Sequence, residues 1–328
     1  MSGFRNRLAR GLTRIEGIVT RLFGRKREAR AIEPYIGYAT PEHLVLRGRV
    51  LAAGPGELRE GRSRVGNARQ MLRLFLTREV ADVTVRSGEV TAQSDEEGYF
   101  TLLLPRGEST GWIDVLVEAG TARAVCPVMI ADPRAAYVVV SDIDDTMMQT
   151  GAWSLWRNLR TSLTGTVGSR TVFGDARDLM QVLHRDGRNP VYFVSSSPWN
   201  FHGFLGAVFA RNGLPRAPMF LRDYGLSDTQ LVTGTHGNHK GSAIDRIAAA
   251  HPDLPLVLVG DLGQHDASIY ADAVLRHPGR VAHVLLRQAG AIDEEDRLAL
   301  ERLRTLGVPV FSGRDFRPAV AIFGDGLA

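Results

Sequence analysis

The protein has 328 residues, enough for two domains at the usual size of roughly 100 to 200 residues each. Hydrophobic residues make up 44% and charged residues 23%, as in soluble globular chains, and no apolar run reaches the ~18 residues of a membrane-spanning helix. The single cysteine, Cys126, excludes an internal disulfide and is predicted to be a small core residue. The first residues lack the continuous apolar segment of a secretory signal, so we expect a cytoplasmic protein.

Residues 1–35 are predicted to form a basic helical arm. Residues 1–34 carry a net charge of +6, which leaves −2 for the rest of the chain. A domain that reads DNA or RNA carries basic surface on the fold itself, so a nucleic-acid partner is disfavoured. Apolar residues recur every three or four positions, at Phe4, Leu8, Leu12, Ile15, Val19 and Leu22. This pattern predicts an amphipathic helix that either lies on an anionic membrane surface or packs on protein.

Residues 36–130 are rich in predicted strands. Alternating apolar residues separated by turn signals predict strands at 43–51, 82–86, 99–104 and 112–117. Residues 69–76 look helical and would be an insertion. Together these features predict a small β-sandwich with a structural or docking role. Residues 131–136 are interpreted as a linker to the next domain.

From residue 137 to 328, short apolar strands alternate with helical segments. The strands are predicted at 137–141, 191–194, 256–259 and 282–286, and the helices at 173–186, 199–212, 240–250, 266–276 and 292–305. Such alternation predicts an α/β domain with a parallel sheet and a ligand site at the carboxyl ends of its strands.

Polar motifs follow the first two of these strands. Asp142 and Asp144 lie in the sequence SDIDDT, where the two carboxyls can serve as nucleophile and proton donor, although acids two apart also occur in solvated turns. The next strand ends in SSSPWN, either an ordinary loop or a set of donors for phosphoryl oxygens. Ser195 is the favoured donor, with Ser196 and Ser197 as alternatives.

Two further motifs complete the set. Lys240 is one of only two lysines among forty basic residues, which suggests a need for a compact ammonium group. Asp261 and Asp266, in GDLGQHD after the third strand, suit an oxygen-liganded cation such as Mg²⁺. A zinc or manganese alternative rests on nearby imidazoles, at His236, His239 and His265.

These four motifs, in this order, resemble the haloacid dehalogenase superfamily over residues 137–315. More narrowly, SDIDDT, SSSPWN, HKGSAI and GDLGQHDASIY resemble the actin-patch phosphatidate phosphatase family, and YIGYATPEHLVLRGRVL at 35–51 resembles its amino-terminal module. The resemblance implies a Rossmann-like catalytic domain with a minimal cap, a Mg²⁺ cofactor and an aspartyl-phosphate intermediate. The implied reaction is hydrolysis of a phosphomonoester, with phosphatidate at a membrane surface as the expected substrate.

The resemblance also implies roles for single residues. Asp142 would be the nucleophile and Asp144 the general acid and base, while Ser195, or Ser196 beside it, and Lys240 would bind the phosphoryl group. Asp142, the carbonyl of Asp144 and Asp261 would hold Mg²⁺, with Asp266 as a direct or water-mediated ligand. Asp145 is expected to order the turn. The serine-rich second motif departs from the family, which often has Asn between its serines.

Other readings remain open at the level of sequence. The chain could act on a soluble or protein phosphoester, or be a non-enzymatic module that binds a membrane or a partner. Short spacings between the motifs leave no room for a large cap, so an open site could accept a membrane-borne substrate. Trp153, Trp156 and Trp199 are then either contacts at the rim of the site or core residues. The expected location is cytoplasmic and peripheral to a membrane.

Overall fold

The computed structural model describes residues 31–52, 79–148, 172–222, 238–288 and 290–324. The first strands join in one sheet: β1 (Ala31–Pro34), β2 (Gly37–Ala39), β3 (His43–Leu51), β4 (Thr84–Ser87), β5 (Val90–Gln93), β6 (Tyr99–Pro105), β7 (Gly111–Ala119) and β8 (Ala122–Ile130). Their order is β1-β3-β2-β8-β7-β4-β5, with β6 on the other edge of β3. The strand pairs are antiparallel except β2 and β8, which are parallel.

Alternation of side chains builds the core of this N-terminal sheet. In β7, Trp112 and Leu116 are exposed, whereas Val117 is buried in the same core as Leu46 of β3. Cys126 of β8 is fully buried there, as predicted, and burial raises the pKa of its thiol to about 12. Cys126 is therefore a core residue, and its thiol is not a reactive thiolate at neutral pH.

Some predictions for the first 130 residues need correction or lie outside the described residues. Residues 31–34, placed at the end of the helical arm, instead form β1 and pair with residues 48–51 of β3. The rest of the predicted arm and the predicted helix at 69–76 lie outside the described residues. The predicted strands at 43–51, 82–86, 99–104 and 112–117 are confirmed within a few residues. All eight strands belong to one connected sheet, and the two-sheet sandwich stays a prediction.

After residues 131–137, which connect the two sheets, the chain alternates between strand and helix. The elements are β9 (Val138–Asp142), α1 (Gly174–His184), β10 (Val191–Pro198), α2 (His202–Arg211), β11 (Met219–Arg222), α3 (Asn238–Ala250), β12 (Leu256–Leu262), α4 (Asp266–Arg276), β13 (Val281–Gln288), α5 (Glu294–Thr305), β14 (Val310–Gly313) and α6 (Arg317–Gly324). The strands form one parallel sheet in the order β11-β10-β9-β12-β13-β14.

Strand β9 lies at the centre of this parallel sheet. Val139 belongs to the apolar cluster on one face, whereas Val138 and Val140 belong to the cluster on the other. A strand buried on both faces reads as a continuous apolar run, which explains why residues 137–141 were recognisable in the sequence. The predicted parallel α/β arrangement is confirmed by these pairings. The finer assignment to a Rossmann-like haloacid dehalogenase fold stays a prediction.

In the described part of the chain, no helix is long and apolar enough to cross a membrane.

A buried arginine near the end of β13 connects three parts of the parallel-sheet unit, residues 138–324. Arg287 pairs with Asp175 of α1 at 2.5 Å and donates from Nε to the backbone carbonyl of Thr146 at 3.1 Å. Its guanidinium also lies over the rings of Phe173, at 4.3 Å, and Phe316, at 4.5 Å. Thr146 ends the SDIDDT motif, so Arg287 holds the loop that follows β9 against the end of the sheet.

We expect Arg287→Met to lower the free energy of unfolding by about 3–5 kcal/mol, because the carboxylate of Asp175 would lose its charge partner in a largely buried position. Urea denaturation of the full chain measures this change. A matched control is Arg297→Met, which removes an arginine whose partner, Glu294, is exposed, and its stability should be nearly unchanged. Equal effects of the two substitutions would contradict the prediction.

Candidate active site

Three neighbouring strands end at the same edge of the parallel sheet and place polar side chains together there. Asp142 is the last residue of β9, Ser195 lies in β10, and Asp261 lies in β12. Lys240 comes from the first turn of α3, and Asp266 is the first residue of α4. All five side chains are buried, which explains why they can interact strongly. The structure therefore brings together the residues predicted from the separate motifs.

Lys240 is the cation of this cluster. Its Nζ lies 2.7 Å from Oδ1 of Asp142 and 2.5 Å from Oδ1 of Asp266. Burial opposes the charge on Lys240, but the two adjacent carboxylates outweigh burial and raise the pKa of its ammonium group above the ordinary value. Lys240 is therefore charged at neutral pH and positioned to contact an anion bound beside Asp142.

The carboxylates outnumber the cation among the described residues of the cluster. Oxygens of Asp142, Asp261 and Asp266 all lie within 4.8 Å of one another. Burial and the neighbouring carboxylates raise the pKa of Asp142 well above its ordinary value, although Lys240 opposes this shift. Burial, together with Asp266 and Asp142, raises the pKa of Asp261 to about 10. A second cation would lower both pKa values, because it would offset the burial of the carboxylates and the repulsion between them.

The free atoms of this cluster fit a hard cation. Within the described residues, Oδ2 of Asp142 and Oδ1 of Asp261 are buried without a hydrogen-bond partner. Both oxygens of Asp266 are engaged, Oδ1 by Lys240 and Oδ2 by the backbone N–H of Asp261 at 3.3 Å. Carboxylate oxygens suit Mg²⁺. Asp142 and Asp261 therefore have the atoms to ligate it, while Asp266 is engaged in orienting Lys240.

The histidines do not join this group in the described part of the chain. The residues that could hold an ion there are Asp142, Asp261 and Asp266, and neither His239 nor His265 is among them. His265 faces Glu295, with 3.2 Å between Nδ1 and Oε1. His236 lies outside the described residues. The zinc or manganese alternative, which rested on these imidazoles, thus finds no support in the geometry of His239 and His265.

Asp144 is held on the other side of the site by the serine segment. Ser195 donates from Oγ to Oδ2 of Asp144 at 2.6 Å, and Ser197 donates to the same oxygen at 3.4 Å. Burial raises the pKa of Asp144 while the bond from Ser195 opposes the shift. A carboxyl with a raised pKa is suited to give and take a proton. Ser195 thus reaches the acid predicted for catalysis, and Ser196 lies half-buried between the two serines.

Trp199 follows residues 195–198, and its position decides between the two roles left open for it. Its side chain is 5% exposed and belongs to the main apolar cluster, so it is a core residue and does not line the rim of the site. Trp153 and Trp156 lie outside the described residues.

Two contacts of the site were not predicted from the sequence. Gln264 donates from Nε2 to the backbone carbonyl of Asp144 at 3.1 Å and to Oδ2 of Asp145 at 3.3 Å. Asp145 has a left-handed backbone with φ of 58°, so it shapes the turn as expected. A Cβ at Gly260 would lie 2.6 Å from Oδ2 of Asp266. Gly260, the first glycine of GDLGQHD, therefore permits the close approach of Asp266, a role that the motif itself could have suggested.

The comparison with known families addresses the same part of the chain. Residues 137–288 match the family model described as phosphatidate phosphatase APP1, catalytic domain. The match starts just before β9 and ends with β13, so it includes every residue of the cluster. It supports the family predicted from the motifs and supports a hydrolase of the phosphatase class. The wider haloacid dehalogenase superfamily stays a prediction.

Two curated proteins are similar to this chain. Phosphatidate phosphatase APP1 of Saccharomyces cerevisiae is 28% identical over 178 residues, which cover 54% of this chain and 29% of that protein. An uncharacterized protein of Schizosaccharomyces pombe is 27% identical over 151 residues, 45% of this chain and 24% of that protein. The matches thus cover less than a third of either relative.

A solved carbohydrate acetylesterase from Xanthomonas citri aligns at 11% identity over 86% of this chain and 73% of that one. Its TM-score of 0.26 is too low to inform the fold.

Proposed function

We propose that this protein is a Mg²⁺-dependent phosphatase that forms an aspartyl-phosphate on Asp142, with phosphatidate as its substrate. The observation that carries the proposal is the position of Asp142. Its carboxylate ends the central strand, contacts Lys240 through Oδ1 and keeps Oδ2 without a partner among the described residues. A buried carboxylate with one oxygen oriented by a cation and the other available is suited to attack phosphorus.

Different residues around Asp142 would bind the phosphoryl group and the Mg²⁺ ion. Lys240 is a charged donor for the phosphoryl oxygens, and the hydroxyl of Ser195 would join it by turning from Asp144 to the substrate. Asp142, Asp261 and the backbone carbonyl of Asp144 would hold Mg²⁺. Asp266 would orient Lys240 through its contact with Nζ. The ion supplies positive charge that offsets the repulsion between an anionic nucleophile and an anionic phosphate. With the ion bound, its positive charge would offset burial and the repulsion between the acids, so the carboxyls of Asp142 and Asp261 could lose their protons at neutral pH.

The reaction proceeds in two displacements. One oxygen of the Asp142 carboxylate bonds to phosphorus as the bond to the leaving oxygen breaks, while the other oxygen would ligate Mg²⁺. Asp144 donates its proton to the leaving oxygen. Asp144 then takes a proton from water, whose oxygen bonds to phosphorus as the bond to Asp142 breaks. Phosphate leaves, Asp142 is a carboxylate again and Asp144 is protonated. The raised pKa of Asp144 supports its role as acid in the first displacement.

The choice of phosphatidate rests on the family match and on the activity in the name of the Saccharomyces relative. A phosphatase for soluble or protein phosphoesters is the second candidate. A role of residues 1–35 at a membrane surface, and a cytoplasmic location, stay predictions.

The test is phosphate release by the full chain from vesicles that contain phosphatidate, compared with lysophosphatidate, p-nitrophenyl phosphate and phosphoserine peptides. We expect phosphatidate to have the highest kcat/KM, complete loss of turnover in a chelator and recovery with Mg²⁺ but not Ca²⁺, which prefers longer bonds and more ligands. Release from phosphopeptides alone would favour the second candidate. Full turnover in the chelator would contradict the metal dependence.

Asp144→Asn tests the acid role. We expect kcat to fall by about 10²–10⁴-fold on an alkyl phosphate, because the leaving alkoxide needs a proton. The loss in the first displacement should be much smaller with p-nitrophenyl phosphate, whose leaving group is stable as an anion. Burst kinetics with p-nitrophenyl phosphate separate this step from hydrolysis of the phosphoenzyme. Equal losses in the first step for both substrates would contradict the assignment.

A further inference from the structure

We propose that the N-terminal sheet positions the phosphate-binding segment of the active site, with Tyr35 and Arg47 acting on it through Trp199. Tyr35 and Arg47 would be positioning residues, since the structure places them against Trp199 and not against the reacting groups. The inference rests on the proposed phosphatase function for its catalytic consequence, but the contacts on which it depends are independent of that function.

Residues 195–197, the serine segment, lack the regular pairing that holds residues 191–194 of β10. Strand β10 pairs with β11 at Val194, opposite Phe220, and again at Pro198, opposite Arg222, and the register shifts between these two positions. Residues 195–197 therefore form an irregular stretch whose position depends on what holds its two ends. One end continues from the regular part of β10, and the other end leads into Trp199.

Trp199 is held by Tyr35, which lies between β1 and β2, and by Arg47 of β3. The ring of Tyr35 stacks on the indole with 4.6 Å between centroids and an interplanar angle of 19°. The guanidinium of Arg47 lies over the same indole at 4.5 Å from its centroid. Tyr35 and Arg47 are joined through their backbones, since the N–H of Tyr35 donates to the carbonyl of Arg47 at 2.9 Å. Aromatic stacking and a cation over an aromatic face both stabilise the position of the indole.

The serine segment transmits this restraint to the catalytic acid. The N–H of Ser197 donates to Oγ of Ser195 at 2.9 Å, and Ser195 donates in turn to Asp144. A shift of Trp199 moves Ser197 and with it the donors that orient Asp144. Small displacements of catalytic groups are costly, about 10²-fold in rate for a shift of 1 Å.

A second tyrosine of the same sheet supplies a matched control. Tyr38 also packs on the parallel-sheet unit, but on the rings of Tyr192, at 5.8 Å, and Phe220, at 5.5 Å. These residues belong to the apolar cluster on the other face of the parallel sheet, whereas Tyr35 and Trp199 belong to the first. Loss of Tyr38 therefore weakens the contact between the two sheets without releasing Trp199.

The test compares Tyr35→Leu, Tyr35→Phe and Tyr38→Leu in the full chain, under conditions where circular dichroism shows each variant to be folded. The first readout is hydrogen exchange of peptides that cover residues 195–201, which does not require activity. The second is kcat/KM for p-nitrophenyl phosphate, together with inhibition by inorganic phosphate.

We expect Tyr35→Leu to speed exchange in residues 195–201 and to lower kcat/KM by about 10-fold or more, with weaker inhibition by phosphate. Tyr35→Phe should stay within about 2-fold of wild type, because the hydroxyl of Tyr35 has no hydrogen-bond partner in the described ranges and the ring is retained. Tyr38→Leu should leave exchange at 195–201 unchanged. Wild-type exchange there in Tyr35→Leu, or equal effects of Tyr35→Leu and Tyr38→Leu, would overturn the proposal. A wild-type protein that released no phosphate would refute the proposed phosphatase function. The exchange data would still show whether Tyr35 positions residues 195–197 through Trp199.

Discussion

Asp142→Asn is expected to lower phosphatase turnover by about 10³-fold or more, with no detectable phosphoenzyme. An amide has no oxygen that can form a stable acyl-phosphate, so the first displacement cannot occur. The fold should remain intact, and in a chelator the variant should be at least as stable as wild type. Burial and neighbouring acids raise the pKa of Asp142, which means that its charged form is costly in the folded protein without a metal ion.

The matched control is Asp145→Asn, which makes the same chemical change three residues further along the chain. Asparagine tolerates the left-handed backbone at this position, and its side-chain oxygen can still accept from Gln264. We expect less than about 10-fold loss for this variant. The measurement is phosphate release, combined with acid quenching after addition of ³²P-labelled substrate. Labelled protein in Asp142→Asn, or activity equal to that of Asp145→Asn, would refute the nucleophile assignment.

Lys240→Met is expected to have the second largest effect, on both turnover and stability. Its ammonium group contacts Asp142 and Asp266, and it opposes the raised pKa values of Asp142 and Asp261. Removing it takes away the cation that contacts the buried carboxylates of Asp142 and Asp266. This loss should lower the free energy of unfolding by about 3–5 kcal/mol at neutral pH. Turnover should fall by about 10²–10³-fold, because a charged donor to the phosphoryl group is lost.

The effect of Lys240→Met on stability should depend on pH with a definite sign. A carboxyl whose pKa in the folded state lies above its ordinary 3.8 binds more protons folded than unfolded, so its contribution to stability declines as pH rises through that window. The substitution raises these values further, so the decline continues to higher pH than in wild type. The difference in unfolding free energy between wild type and variant should therefore grow as pH rises from 5 to beyond 10, most strongly near pH 10, where Asp261 ionises in the wild type.

Urea denaturation across this pH range, in a chelator, measures the difference. Lys240→Arg is the control for charge alone. It should retain much of the stability but little of the turnover, because a planar guanidinium cannot replace a compact ammonium group in a buried position. Added Mg²⁺ should restore part of the stability lost in Lys240→Met. A pH-independent difference would mean that Lys240 acts through packing rather than charge.

The sequence was sufficient to locate the elements that carry the site. Strands β9, β10, β12 and β13 are apolar runs because a parallel sheet is buried on both faces, and this signal is local. Three of the four motifs lie directly after or at the end of such a run, so the meeting of Asp142, Ser195 and Asp261 followed from the shared edge of a parallel sheet. Strands β11 and β14 were missed because each has only four residues, too few for a period to show.

The arm boundary was misplaced for a related reason. Residues 31–34 form a strand only because β3 offers them an edge, and a pairing partner distant in sequence leaves no local pattern.

The sequence by itself determined the order and spacing of the motifs, and hence the type of chemistry, because these depend on which residues follow which strands. Only the tertiary structure decided how the same residues are used. It showed that Asp266 is engaged by Lys240, that Gln264 donates to the carbonyl of Asp144, and that Tyr35 of the N-terminal sheet stacks on Trp199. These contacts join residues 26, 120 and 164 positions apart. Their formation depends on packing between elements rather than on any local preference of the chain.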